Sequence, residues 1–246
     1  MRLRSRSSLE SAVRRPFLSP LLFAAALGAS LSVALPAQAE ALYGSRESFW
    51  QGQVGMRSTF VTDPGFDPFA TDNVLTTFTL GVSRTIFDYE AFSFAPGLFW
   101  DYGARSATAR GDAASLSSHR LALALEGRYH FAPWAYGLVR LTPSAIQQSA
   151  VLKDPLAAAN FVASAWNFGF DASAGAAFLL GPHADSSTSP VRWWLAAEGG
   201  YGYASSASLL MHPDLPPDDP RRTGDLNLGR LALAGGFFRL YGSVTF

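Results

Sequence analysis

From Trp50 onward, large apolar residues recur at every second position. Trp50, Gly52, Val54, Met56, Ser58 and Phe60 fall on one face of the first such run, and Gln51, Gln53, Gly55, Arg57 and Thr59 on the other. A period of two is the signature of a β-strand with unlike faces. The same alternation returns in Val74–Ser83, Phe92–Arg105, His119–Phe131, Trp134–Ile146, Trp166–Phe178 and Arg192–Tyr203. The fourth run is the cleanest, with His119, Leu121, Leu123, Leu125, Gly127, Tyr129 and Phe131 against Arg120, Ala122, Ala124, Glu126, Arg128 and His130. The fifth is ambiguous in phase; placing Arg140 inward puts Gly137, Val139 and Leu141 outward. Pro96 is awkward in the third, since proline gives no ladder donor.

The last run spans about Asp225 to Phe246. Phe238, Leu240, Gly242, Val244 and Phe246 share one face, and Arg239, Tyr241, Ser243 and Thr245 the other. Leu231 and Leu233 read as apolar-face residues out of step with Phe238, and one extra residue at Gly235-Gly236 would repair the phase. A turn there, giving nine strands, is the alternative. The stretches between runs alternate in length. Those near 85–90 and 132–134 are short and 181–190 is moderate, whereas 61–72, 106–117, 151–160 and 206–224 read as longer loops.

The pattern predicts an all-β, eight-stranded antiparallel up-and-down barrel. Ten strands are the alternative, with extra ones drawn from 151–181 and 224–246. The large apolar face is the outer one, because the opposite face is small, polar and charged. This is the arrangement of a transmembrane barrel. Ring side chains gather at the short-turn end, namely Trp50, Tyr89, Phe92, Phe131, Trp134, Trp193 and Phe246, where they are expected at the membrane interface. A second set, including Phe60, Trp100, Tyr102, Trp166, Tyr201 and Tyr203, falls toward the long-loop end.

Composition sharpens this reading. Charged residues are 15% of the chain, against about 25% in ordinary soluble domains. There is no cysteine, hence no disulfide, thiolate metal site or lipid-attachment cysteine. Residues 1–39 read as a cleaved signal peptide: a basic start carrying Arg2, Arg4, Arg6, Arg14 and Arg15, an apolar stretch from about Phe17 to Leu35, and Ala37-Gln38-Ala39 as a small-x-small cleavage site. Cleavage would take five Arg and Glu10 from the nineteen basic and nineteen acidic residues. That leaves 14 and 18, a formal charge of −4, for a barrel of residues 40–246. No basic patch points to nucleic acid, and no cofactor-binding motif is present.

The inner face is expected to carry Arg57, Asp101, Arg105, Arg120, Glu126, Arg128, Arg140, Asp171, Arg192 and Glu198. Eight strands leave room for little but side chains, so these charges must pair, and mixed signs predict a plugged lumen. A narrow ion path or small channel is the second reading. A lipid-modifying enzyme is the third, with His119 beside Ser117 and Ser118 as its sole candidate base and nucleophile. His212, Asp214, Asp218 and Asp219 read as a solvated loop before they read as a cation site. No catalytic, metal or cofactor residue is assigned.

The whole pattern resembles small outer-membrane barrels of the OmpA, OmpX and opacity-protein kind, over about residues 45–246. The resemblance implies outer-membrane location with both termini periplasmic, and contact with outer-membrane lipid and lipopolysaccharide. It also implies recognition of the C-terminal strand by the barrel assembly machinery, a monomeric state, and a structural or surface-binding role exercised through extracellular loops.

Overall fold

The computed structural model describes residues 50–109, 112–153, 160–180, 191–216, 218–220 and 222–246. The signal-peptide reading, the 154–159 part of one loop and the 181–190 turn lie outside the described residues. Eleven strand segments follow one another: β1 (Trp50–Val61), β2 (Val74–Arg84), β3 (Phe87–Tyr89), β4 (Phe92–Ala109), β5 (Asp112–Ala132), β6 (Ala135–Lys153), β7 (Phe161–Leu180), β8 (Arg192–Ala204), β9 (Ala207–Pro213), β10 (Leu226–Leu231) and β11 (Gly235–Thr245). A 3-10 helix, Pro64–Phe69, lies between β1 and β2.

These segments make eight staves. β2 and β3 both pair with β4 and together form the second. β8 and β9 both pair with β7 and form the seventh. β10 and β11 pair with β9 and β8 respectively and form the eighth. All ladders are antiparallel, and β11 closes on β1 from Gln51↔Thr245 to Val61↔Gly235. The ten-strand alternative fails because, among the described residues, 151–181 adds only the end of β6 and β7, while 224–246 folds end to end into one stave.

A walk across the ladders starts at Gln51 and passes Ser83, Gly97, Ala124, Thr142, Asp171, Gly202 and Gly235. It returns to β1 at Val61, ten residues higher. A stagger of ten over eight strands tilts the staves by roughly 40°, the usual range for closed barrels. Pro96 lies in β4 beside the interruption between β2 and β3. A missing donor costs least there.

The structure corrects three sequence readings. First, 106–117 is no loop: β4 and β5 continue as a hairpin to Ala109 and from Asp112. Second, most of 206–214 is strand β9, so the connection to β10 is 214–225. Third, the phase slip sits in the seventh stave. Residues 194, 196, 198, 202 and 204 are buried, and beyond Ser205-Ser206 the buried set becomes 207, 209, 211 and 213. The register agrees, because β7 advances seven residues from Val162 to Gly169 while its partner advances eight, from Ala204 to His212. The eighth stave slips once, between Asn227 and Arg230 in β10, and keeps its phase from Leu231 onward. Leu231, Leu233, Phe237, Arg239 and Tyr241 are all buried, so Leu231 and Leu233 belong to the interior and Gly235-Gly236 is no bulge.

Candidate functional site: a charged layer inside the barrel

The interior is layered along the barrel axis. Nearest the short turns, Tyr136, Leu138, Ala177, Trp194, Ala196 and Tyr241 pack together. Gln51 donates to Ser243 Oγ at 2.7 Å and accepts from Arg128.

The charged layer lies above. Arg140 reaches Glu126 on β5 with Nε at 2.9 Å and Glu198 on β8 with Nη1 at 2.9 Å, and donates to the Tyr241 hydroxyl at 3.0 Å. Arg128 closes on Glu126 at 2.5 Å. Arg239 binds Glu198 at 2.6 Å. Higher still, Asp171 holds Arg57 at 2.7 Å and Arg120 at 2.5 Å. Phe99 and Phe237 insert between the cations: Arg140 lies 4.9 Å over the Phe99 ring, and Arg57 lies 4.0 Å over that of Phe237. Desolvated stacking of this kind favours a guanidinium over an ammonium.

Asp101 is surrounded by Arg57, Arg120 and Arg239 at 3.8, 3.5 and 3.7 Å. It borders a cavity of about 30 Å³ shared with Arg57, Thr77, Ser118, Arg120, Ile146 and Leu233. That volume admits a water molecule, and contacts of this length are the ones water bridges.

Eight of the ten charged residues expected inside meet in this layer: Arg57, Asp101, Arg120, Glu126, Arg128, Arg140, Asp171 and Glu198. Arg105 is not among them. It is half-buried near the long-loop end, where it donates to the Val74 carbonyl at 2.8 Å and pairs with exposed Asp72 at 3.4 Å. Arg192 begins β8 and is exposed at the opposite mouth, too far down the stave to reach the layer. Arg239 is the charged member that sequence reasoning missed. It shares a face with Tyr241 and Ser243 in the terminal alternation, and that was signal enough. With it the layer holds five arginines and four carboxylates.

Above the charges the interior becomes apolar. Val61, Leu75, Leu116, Ile146, Leu209, Met211, Leu231 and Leu233 form one cluster with Phe66 and Phe69, both fully buried. These two rings come from the 3-10 helix, which the sequence presented only as a polar connection. Asp63 caps this helix by accepting from Gly65 N at 2.8 Å, and its other oxygen accepts from Ala232 N at 2.8 Å. Thr62 N donates to the Ala234 carbonyl at 3.0 Å. The loop is thereby fastened into the gap between β10 and β11. It fills the place that β1 and β2 leave, since those staves end at Val61 and begin at Val74.

The outer face changes character at the same level. Below, it is a continuous apolar band: Met56 is 58% exposed, Leu121 59%, Val139 62% and Phe168 58%. At the lower edge stand Trp50, Tyr89, Phe92, Phe131, Trp134, Trp193 and Phe246, all exposed. At the upper edge a row crosses five staves, Phe78↔Tyr102↔His119↔Gln147↔Trp166. Beyond that row the outward residues of β4–β7 are chiefly Ser, Thr and Ala, and the inward ones are mostly apolar, with Arg105, Ser118 and Gln148 as the polar members. The hairpins rise roughly 15–20 Å past it at about 3.4 Å per residue, allowing for tilt.

No catalytic constellation emerges from the candidates. Ser118 faces the interior, whereas Ser117 and His119 face outward. His119 stacks on Trp100 with ring centroids 6.0 Å apart. His212 pairs with Asp225 at 2.8 Å. Among the described residues no group of three or more His, Cys, Asp or Glu could hold a metal ion.

Fold and interior together define a small eight-stranded up-and-down barrel with an apolar outer band. No protein-family model and no curated protein matches the sequence. Several solved structures are similar to it. Ail, the attachment invasion locus protein of Yersinia pestis, solved with the heparin analogue sucrose octasulfate, is 11% identical over 82% of this chain and 100% of its own, with a TM-score of 0.46. Neisserial surface protein A is 11% identical over 82% and 98%, at 0.37. The translocator domain of the autotransporter NalP from Neisseria meningitidis is 11% identical over 92% and 96%, at 0.41.

Proposed function

We propose that this chain is an integral outer-membrane β-barrel with a structural or surface-binding role, its termini on the periplasmic side and its lumen closed by the Arg/carboxylate layer. The single observation behind the reading is the inversion at the upper ring row. Below it the outside is apolar and the inside charged, as in a lipid-embedded barrel. Above it the inside is apolar and the outside polar, as in a protein surrounded by water. The binding surface is then the projecting half, carried rigidly by its own core. Outer-membrane lipid covers the band, β11 is the segment offered to the assembly machinery, and the protein acts as a monomer without nucleic acid or cofactor.

The chain has no cysteine, so single cysteines map its depth cleanly. In intact cells, S115C and S164C react with a membrane-impermeant maleimide, whereas L123C and V139C react only after the membrane is dissolved. Equal labelling of all four in intact cells sinks the reading.

A further inference from the structure

Charge inside the barrel does not cancel. Among the described residues the buried ionic groups are five arginines, Arg57, Arg120, Arg128, Arg140 and Arg239, and four carboxylates, Asp101, Glu126, Asp171 and Glu198. The lower tier balances, because Arg128 and Arg140 meet Glu126 and Glu198. The upper tier sets Arg57, Arg120 and Arg239 around Asp101 and Asp171. Arg239 has a further carboxylate only by sharing Glu198 with Arg140. One positive charge is left over in this tier. Proton movement cannot remove it. A guanidinium stays charged inside a protein, and protonating a carboxylate would enlarge the surplus.

The cavity of about 30 Å³ lies in the same tier. Arg120 lines it, and Arg120 Nε is a buried donor without an acceptor. Ser118 and Thr77 bring hydroxyls to it and are 5% and 7% exposed. The bond from Thr77 Oγ1 to the Arg57 carbonyl is long, 3.5 Å. Thr59 also lines the cavity, but its hydroxyl accepts from Arg57 Nε at 3.0 Å. Two carboxylates face it as well. Asp171 is taken up by Arg57 at 2.7 Å and Arg120 at 2.5 Å. Asp101 stands among three guanidiniums at 3.5 to 3.8 Å, so cations outnumber anions on every side of it.

We infer that this cavity binds one small monovalent anion of chloride's size, which completes the charge of the layer. A water molecule would give Arg120 Nε an acceptor but leave the surplus in place, and an uncompensated charge in a closed interior is costly. The space is about twice what one water needs, which suits a single halide and excludes sulfate or phosphate. A divalent ion would also overshoot the balance. The Ser118 and Thr77 hydroxyls rotate to donate to whatever acceptor enters. The inference rests on the lumen being closed, as proposed above.

The test uses the full chain extracted from membranes in a non-ionic detergent and exchanged into chloride, bromide or gluconate at equal ionic strength. Crystals grown in bromide should show one anomalous peak beside Arg120 and Ser118. The urea midpoint should rise with chloride to a plateau and stay low in gluconate. Ser118→Asp places a carboxylate in the cavity, so it should lose both the peak and the chloride response. Ser118→Ala keeps the surplus charge and should retain both. Heat-dependent gel migration shows whether each variant is folded. If Ser118→Asp is not, Arg120→Met cancels the surplus by subtraction and should show the same loss. A parent without a bromide peak, equal midpoints in chloride and gluconate, or an undiminished chloride response in the charge-cancelling variant would each overturn the inference. Single-channel conductance tests closure separately: a silent barrel without the peak rejects the ion and keeps the plugged lumen.

Discussion

Adjacent glycines in β8 show how finely single positions are specified. A Cβ on Gly200, which faces inward, would collide with the carbonyl oxygen of Ala172 and crowd Ser173, whereas one on Gly199, which faces out, meets nothing nearer than 3.7 Å. Gly200→Ala should cost about 1–3 kcal/mol, the usual penalty of overpacking, and Gly199→Ala close to nothing. The urea midpoint of the folded protein in micelles separates them. Arg140 tests the charged layer in the same assay. Arg140→Met removes the group that bridges Glu126 and Glu198, leaving buried carboxylates short of partners, at about 3–5 kcal/mol. The inward positions of Arg57 and Arg120 were legible from alternation alone; the run around Arg140 is ambiguous in phase, and its inward position followed from putting the charge inside. Which of the three meet was not legible, because a transverse partner depends on the ten-residue stagger, and that is a property of closure rather than of any one strand. Arg105 and Arg192 lie on the inward side of their strands yet stand at opposite mouths for this reason.

Among the elements, alternation was easiest to read where the outside is apolar and hardest where polarity inverts. β9 went unrecognised because Leu209 and Met211 face in while Ser208 and His212 face out, the reverse of the membrane half. For the same reason Leu231 and Leu233 were read as outward and the bulge displaced to Gly235-Gly236. Deleting Ser205 should turn Leu209 and Met211 to the outside. Limited proteolysis should then remove the projecting half and leave a protected membrane fragment. A β9 that stays protected would mean the bulge has moved elsewhere along the stave. Phe66→Ala empties a fully buried site in the same core and should cost about 3–5 kcal/mol, seen as earlier proteolysis of the hairpins with the membrane fragment unchanged. Nothing in the polar run around Thr62-Asp63-Pro64-Gly65 announced that the next rings would enter the barrel. Composition marks a turn, while burial is decided by the opening the turn faces.

For the whole molecule, two dissimilar layers lie in series, a cross-linked charged one and an apolar one carried by the 3-10 helix, and the closed lumen proposed above rests on both. The protein in a planar bilayer should show little or no single-channel conductance, and large stable steps would contradict the plugged lumen. Removing 214–225 should leave insertion intact, since that connection contributes neither β9 nor β10. A deletion of all of 206–224 should not be tolerated, because it takes Leu209 and Met211 with it.

The fastening of the 62–73 loop also bears on the order of events in time. Thr62 to Ala234 and Asp63 to Ala232 join positions about 170 residues apart in sequence. The ring itself closes over a longer separation, Gln51 to Ser243 being 192 residues apart, so distance along the chain does not set the two apart. Thr62 and Ala234 stand at the end of the β1–β11 ladder, one step past Val61↔Gly235. The fastening is the fraying end of the seam, and such ends open more readily than a ladder's middle. Amide hydrogen exchange should find Thr62 and Ala232 opening well before Arg57, Glu198 and Arg239.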